Sequence, residues 1–151
     1  MAYLIALHLL GAVVWVGGMF FAHMALRPSV EMLAPPMRLP LLVETLRRFF
    51  AWVWVSVLVL LVTGYAMIFA VFGGFAGLGL HIHIMQAIGL VMMALFAHIW
   101  FAPFKRLRNA VAGEDWPTGG AQMRQIRMIV ATNLVLGLIL IVVAGGGRYF
   151  Y

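Results

Sequence analysis

Four runs without a single charged residue limit what this chain can become: Tyr3 to Leu26, Phe49 to Phe72, Leu80 to Phe104, and Met128 to roughly Gly147. About 20 helical residues cross about 30 Å of hydrocarbon, so each run is long enough to span a bilayer. Inside lipid the backbone must satisfy its own hydrogen bonds, which makes each run a helix. The runs lack the apolar–polar alternation of outer-membrane strands. We therefore expect an all-α membrane protein, a four-helix transmembrane bundle forming a single domain over residues 1–151. Composition closes the other routes. The chain is 66% hydrophobic and 9% charged, against about 45–50% and about 25% in soluble domains. A chain this short could not hide that much apolar surface from water, which excludes a soluble enzyme, and it is far too apolar for a disordered chain. The first run has no basic residue ahead of it and is too long for a cleavable signal, so it is expected in the mature protein.

The net charge of +6 reports topology rather than a nucleic-acid partner, because its position is one-sided. Arg27, Arg38, Arg47 and Arg48 lie between spans one and two, interspersed with Pro28, Pro35, Pro36 and Pro40. Lys105, Arg106, Arg108, Arg124 and Arg127 lie between spans three and four, while the link from Gly73 to Gly79 is uncharged. Nine of the ten basic residues thus share one side, with only Arg148 beyond span four. By the positive-inside rule that side is cytoplasmic, so a bacterial inner membrane with both termini periplasmic is expected. Tyr3, Trp52, Trp54, Trp100, Tyr149 and Tyr151 suit interfacial belts, although Trp54 could equally face a neighbouring helix.

The sequence partly repeats. A shift of 75 residues lays His8 on His83, Phe21-Ala22-His23 on Phe96-Ala97-His98, and Pro28 on Pro103. This is the pattern of two helical hairpins related by an axis along the membrane normal. The histidine spacing is 15 in both span one and span three, which is about 22 Å of rise and a return to within about 60° of the start. On span one the resulting seam carries Gly11, Trp15, Gly18 and Met19. On span three it carries Ala87, Leu90, Ala94 and Ala97. Ionisable groups inside spans are costly and usually face the bundle interior. His8 with His83 near the outer face, and His23 with His98 near the inner face, are therefore expected as axial ligands of one or two haem b groups. Arg27, Arg38, Arg47, Arg48, Lys105 and Arg106 are expected near the inner propionates, with charge-assisted bonds as the attraction. Arg148 stands alone near the outer site. A second reading gives the same histidines to copper, and a third leaves them as helix-to-helix hydrogen-bond donors. His81, about 160° from His83 on the wheel, fits that last role.

With no cysteine, disulfides, thiolate metal sites, iron–sulfur clusters and thiol catalysis are excluded. Met19, Met24, Met92 and Met93 offer soft thioethers suited to Cu(I), though packing accounts for most of the 11 methionines. Ser56, Thr63, Thr132 and Asn133 are expected to bond between helices. The only acids are Glu31, Glu44, Glu114 and Asp115, all in the basic connections. No hydrolytic constellation or phosphate-cradling loop is present.

The stretches Leu7-His8-Leu9-Leu10, Trp15-Val16-Gly17-Gly18-Met19-Phe20-Phe21 and Leu26-Arg27-Pro28 resemble the opening of CopD-type membrane proteins. His83-Ile84-Met85-Gln86, Ala102-Pro103-Phe104-Lys105-Arg106-Leu107 and Asn133-Leu134-Val135-Leu136-Gly137 are similar to the same group. The resemblance covers most of the chain and implies a short, stand-alone form of proteins linked to copper uptake across the inner membrane. A fainter similarity, resting on a histidine and a tryptophan in span one, runs to HemJ-type haem-associated oxidases. The first expectation is a haem b protein in electron transfer, with a membrane quinol or superoxide as donor. The alternatives are a CopD-like copper transporter or copper-binding module, and a non-catalytic scaffold. The lipid bilayer is the expected partner, and a homo-oligomer is compatible with so small a bundle.

Overall fold

The computed structural model describes residues 1–149, with Arg148 described by its backbone alone. Tyr151 lies outside the described residues, as does the expected role of the Arg148 side chain. Over the described residues the chain is helical, with short connections and no strand. Helix α1 runs Ala2–Val30, α2 Pro35–Phe72, α3 Leu80–Phe101, α4 Pro103–Ala112 and α5 Trp116–Gly146. Four rods, with α3 and α4 counted as one, are long and apolar enough to cross a membrane.

Two helices begin well before their apolar runs. Helix α2 has 38 residues and α5 has 31, so basic segments expected as connections are helical extensions. The prolines explain the difference. Pro35, Pro36 and Pro117 occupy the first turns of α2 and α5, where a missing N–H leaves no bond unmade and the fixed φ suits a helix. They start helices rather than punctuate loops.

The matched prolines of the repeat act differently. Ahead of Pro28, α1 widens into a π turn over Ala22–Leu26, closed by the Arg27 N–H on the Ala22 carbonyl. A proline ring would clash with the carbonyl four residues back, and the extra residue in the turn relieves this. Ser29 Oγ donates to the Ala25 carbonyl at 2.8 Å. At Pro103 the helix instead stops. Ala102 takes φ −116° and ψ −85°, since a residue preceding proline is pushed out of the α region, and α4 starts afresh. Helix α3 thus ends at Phe101.

Helix α1 packs along α2, and α3 and α4 pack along α5, which also reaches α1 and α2. Glycines permit the tightest approaches. A Cβ at Gly137 of α5 would lie 2.8 Å from Val16 Cγ2 of α1, and the Phe49 ring occupies the space a Cβ at Gly18 would need. The middle of the bundle is filled by rings. Phe50, 1% exposed, meets Phe104 at 5.0 Å and Phe96 at 5.4 Å between centroids, both edge to face. Phe96 also meets Trp54 at 5.0 Å and Trp15 at 6.1 Å. Edge-to-face contact is the preferred aromatic geometry. Trp54 therefore packs on neighbouring rings rather than serving only as an interfacial anchor.

Candidate functional site

His8 is the most constrained of the histidines. Its Nδ1 lies 2.8 Å from Thr63 Oγ1 of α2, and Thr63 Oγ1 donates to the Val59 carbonyl at 2.6 Å. A threonine hydroxyl has one proton, and a carbonyl can only accept. With the hydroxyl proton given to Val59, a neutral His8 donates to Thr63 from Nδ1. This fixes the tautomer and leaves a lone pair on Nε2. Such a bond on one imidazole nitrogen is how proteins prepare the other for a metal. Gly64 helps admit the ring: a Cβ there would lie 3.3 Å from His8 Cε1.

The face expected on α1 is present, with Gly11, Trp15 and Met19 all buried. The face expected on α3 is not. Ala87, Leu90 and Ala94 are exposed, as are His83 and His98. The core side of α3 is Met92, Phe96 and Ile99, which stand about 140–180° from His83 on a helical wheel. Bulk explains the rotation: a methionine, a phenylalanine and an isoleucine gain more contact by turning inward than a stripe of alanines does. With His8 bonded to Thr63, His83 and His98 outward, and Phe50, Trp54 and Phe104 packed around Phe96 two residues from His98, the geometry lends no support to two bis-histidine haem b sites. His81 packs closely on Gly147, whose hypothetical Cβ would lie 2.8 Å from His81 Cβ.

His23 sits on the π turn, half-buried, and lines a cavity of about 430 Å³ between α1, α2 and α5. Arg27 lines it too, joined by Arg38, Arg124 and Arg127 from the helical extensions. The other cations expected beside the inner site do not line it. Arg48 Nε bonds Glu44 Oε1 at 2.7 Å on the outside of α2, and Lys105 and Arg106 are exposed on α4. Arg38 was expected near this histidine; Arg124 and Arg127 were not. The spacing of the three would have suggested their gathering only once Pro35 and Pro117 were read as helix starts.

Among the polar residues within spans, Asn133 links helices as expected, its Nδ2 donating to the Met92 carbonyl at 3.1 Å. Thr63 does so through His8, whereas Thr132 bonds back to Met128 in its own helix. Gln86 Nε2 donates to Tyr65 Oη at 3.2 Å, tying α3 to α2. Met19 and Met92 are buried thioethers in the bundle interior, and Met123 is buried beside the cavity. Among the described residues no three His, Asp or Glu side chains converge as a metal-holding group.

No curated protein and no solved structure matches the chain. The family model described as CopD, copper resistance protein D, matches residues 43–146. This is more than half of the 151-residue chain and takes in the apolar part of α2 and all of α3, α4 and α5; His8 and His23 precede it. With four membrane-spanning rods and a family match of this extent, the chain is a multi-pass membrane protein of the copper-resistance type and belongs to the CopD family.

Proposed function

We propose that the protein handles copper(I) as cargo within the membrane, taking the ion at His8 near the outer, periplasmic end. The observation that carries this reading is the His8–Thr63–Val59 relay, which leaves His8 Nε2 as an oriented, unprotonated donor. Family membership supplies the metal. The buried thioethers of Met19 and Met92 offer further soft donors deeper in the bundle, of the kind that prefers Cu(I). Imidazole and thioether donors hold the ion without adding negative charge to the lipid interior, where ionised ligands would be costly.

The test is competition of the detergent-purified protein against a chromogenic Cu(I) chelator. His8→Ala should weaken Cu(I) binding by at least tenfold. Thr63→Val should weaken it less, since it removes only the group that orients the ring. Met19→Leu and Met92→Leu, which nearly conserve volume, should lower copper binding while leaving the melting temperature close to wild type. Equal Cu(I) affinity in wild type and His8→Ala would overturn the proposal. A Soret band that His8→Ala abolished would give the same lone pair to haem b iron instead.

A further inference from the structure

The basic cavity is unsuited to a copper ion and calls for a different ligand. Four guanidinium groups, from Arg27, Arg38, Arg124 and Arg127, line one space of about 430 Å³, and they come from three helices. One carboxylate answers them. Glu31 Oε1 lies 3.5 Å from Arg27 Nε and 3.8 Å from Arg127 Nη1. Among the described residues, no carboxylate lies within 4 Å of Arg38 or Arg124. The local excess is therefore three positive charges before His23 is counted. On the outer side of α2, by contrast, Glu44 takes Arg47 through both carboxylate oxygens and Arg48 through one.

A second observation points into the same space. Arg27 Nε is buried and has no hydrogen-bond acceptor within the chain; its approach to Glu31 is an ion pair too long for a good bond. The rest of the Arg27 side chain is 42% exposed, so its guanidinium can meet a ligand from outside, and like charges brought together repel unless an anion enters among them. Planar guanidinium forks match the oxygens of a phosphate better than any other cationic side chain does. The remainder of the wall is apolar, with Leu26, Leu42, Leu46 and Val130 beneath the arginines. The cavity is therefore amphipathic, cationic at one side and hydrocarbon at the other. Basic pockets between membrane helices with this division are suited to phospholipid head groups.

We propose that the cavity between α1, α2 and α5 binds a phosphate group through Arg27, Arg38, Arg124 and Arg127, the apolar wall receiving the chain of an anionic phospholipid that carries it. The site is independent of the copper reading. It also gives the π turn a consequence, since that turn lies where His23 and Arg27 enter the cavity wall.

The full-length protein, delipidated in detergent and free of copper, is titrated with phosphatidylglycerol, phosphatidylcholine or inorganic phosphate. Bound lipid is counted by native mass spectrometry, and melting is followed by circular dichroism. Phosphatidylglycerol should bind at least tenfold more tightly than phosphatidylcholine and raise the melting temperature. A shift with inorganic phosphate alone, without lipid preference, would assign the site to a soluble anion. Arg38→Gln with Arg124→Gln should lower phosphatidylglycerol binding at least tenfold. Arg47→Gln with Arg48→Gln removes the same charge outside the cavity and should leave binding unchanged. Gly120→Leu provides a variant with every arginine intact: Gly120 lines the cavity and a Cβ there meets nothing within 4 Å, so the side chain fills the space and should also displace the lipid. The proposal is overturned if neither ligand binds above the phosphatidylcholine level, if the two arginine pairs lose binding equally, or if Gly120→Leu binds as wild type does.

Discussion

Helices α1 and α3 carry the same written pattern and use it in opposite ways. Both have histidines 15 residues apart, and both have Phe-Ala-His ahead of a proline. Yet Phe21 of α1 is 61% exposed while its counterpart in α3, Phe96, is 2% exposed. His8 is held by Thr63 across the α1–α2 contact, whereas His83 stands on the exposed side of α3. A helix turns its most space-filling stripe to its neighbours, and that stripe is placed differently in the two. On α1, Trp15, Val16 and Met19 lie near the histidine side. On α3, Met92, Phe96 and Ile99 lie opposite it. A repeat of motifs is therefore not a repeat of faces. Chemistry assigned to a motif must be checked against the bulk around it.

The sharpest way to break this comparison is to truncate the matched phenylalanines. Phe96→Ala removes a ring that touches Trp15, Phe50 and Trp54, and large-to-alanine changes in a packed core cost about 3–5 kcal/mol. In a bilayer or micelle the loss is mainly one of contact and cavity rather than of water exclusion. Phe21→Ala should stay within about 0.5 kcal/mol of wild type, as surface substitutions do. Thermal melting in detergent should separate the two clearly. Equal shifts would mean that α3 is rotated otherwise than described.

The next effect tests the wedge that couples the two helices. At Gly137 of α5 a Cβ would lie 2.8 Å from Val16 Cγ2 on α1 and 3.2 Å from Met92 Cε on α3. Gly137→Leu should destabilise by about 1–3 kcal/mol through overpacking. Gly89→Leu on α3, where a Cβ meets nothing within 4 Å, should be neutral or slightly stabilising, because leucine is the better helix former. The same melting assay reads both.

The spans and the one-sided charge were legible because lipid imposes a length and an apolarity that any 20-residue window displays. The seam of α1 was legible for a related reason: its large residues and its histidines lie on one side, so a wheel drawn from sequence picks out the buried stripe. The seam of α3 was not, because its large residues Met92, Phe96 and Ile99 lie opposite its histidines, so a face chosen by the histidines is the wrong one. The basic cavity was also hidden. Arg38 and Arg124 are 86 positions apart in sequence, and both belong to segments whose prolines resemble loop signals until they are placed at helix starts. The π turn at Ala22–Leu26 adds a residue that a regular wheel does not allow for, between the apolar run of α1 and Arg27.

A smaller effect separates His8 from His83. His8→Ala deletes a helix-to-helix hydrogen bond to a buried threonine, a loss of about 0.5–1.5 kcal/mol. His83→Ala removes an exposed side chain and should leave the melting temperature nearly unchanged. A larger loss from His83→Ala than from His8→Ala would reverse the assignment of the ordered imidazole to α1.

The smallest effect concerns how the long rods begin. Helix α5 is capped by Asp115, which accepts from the Thr118 N–H at 3.2 Å, while the residue before α3 is Gly79, which has no side chain to offer. The Thr118 side chain and then its N–H, both bonding to the carboxylate, lower the Asp115 carboxyl below its usual range. A group whose folded-state pKa is depressed contributes stability above its unfolded pKa and loses it as the pH falls through the folded value. Asp115→Ala should therefore melt slightly below wild type at neutral pH, and the two curves should converge as the solution is acidified through the carboxylate range. Asp115→Asn, which keeps an oxygen acceptor without the charge, should fall between them at neutral pH and show less pH dependence than wild type. A gap between wild type and Asp115→Ala that persisted unchanged into acid would show that the carboxylate charge is not what secures the start of α5.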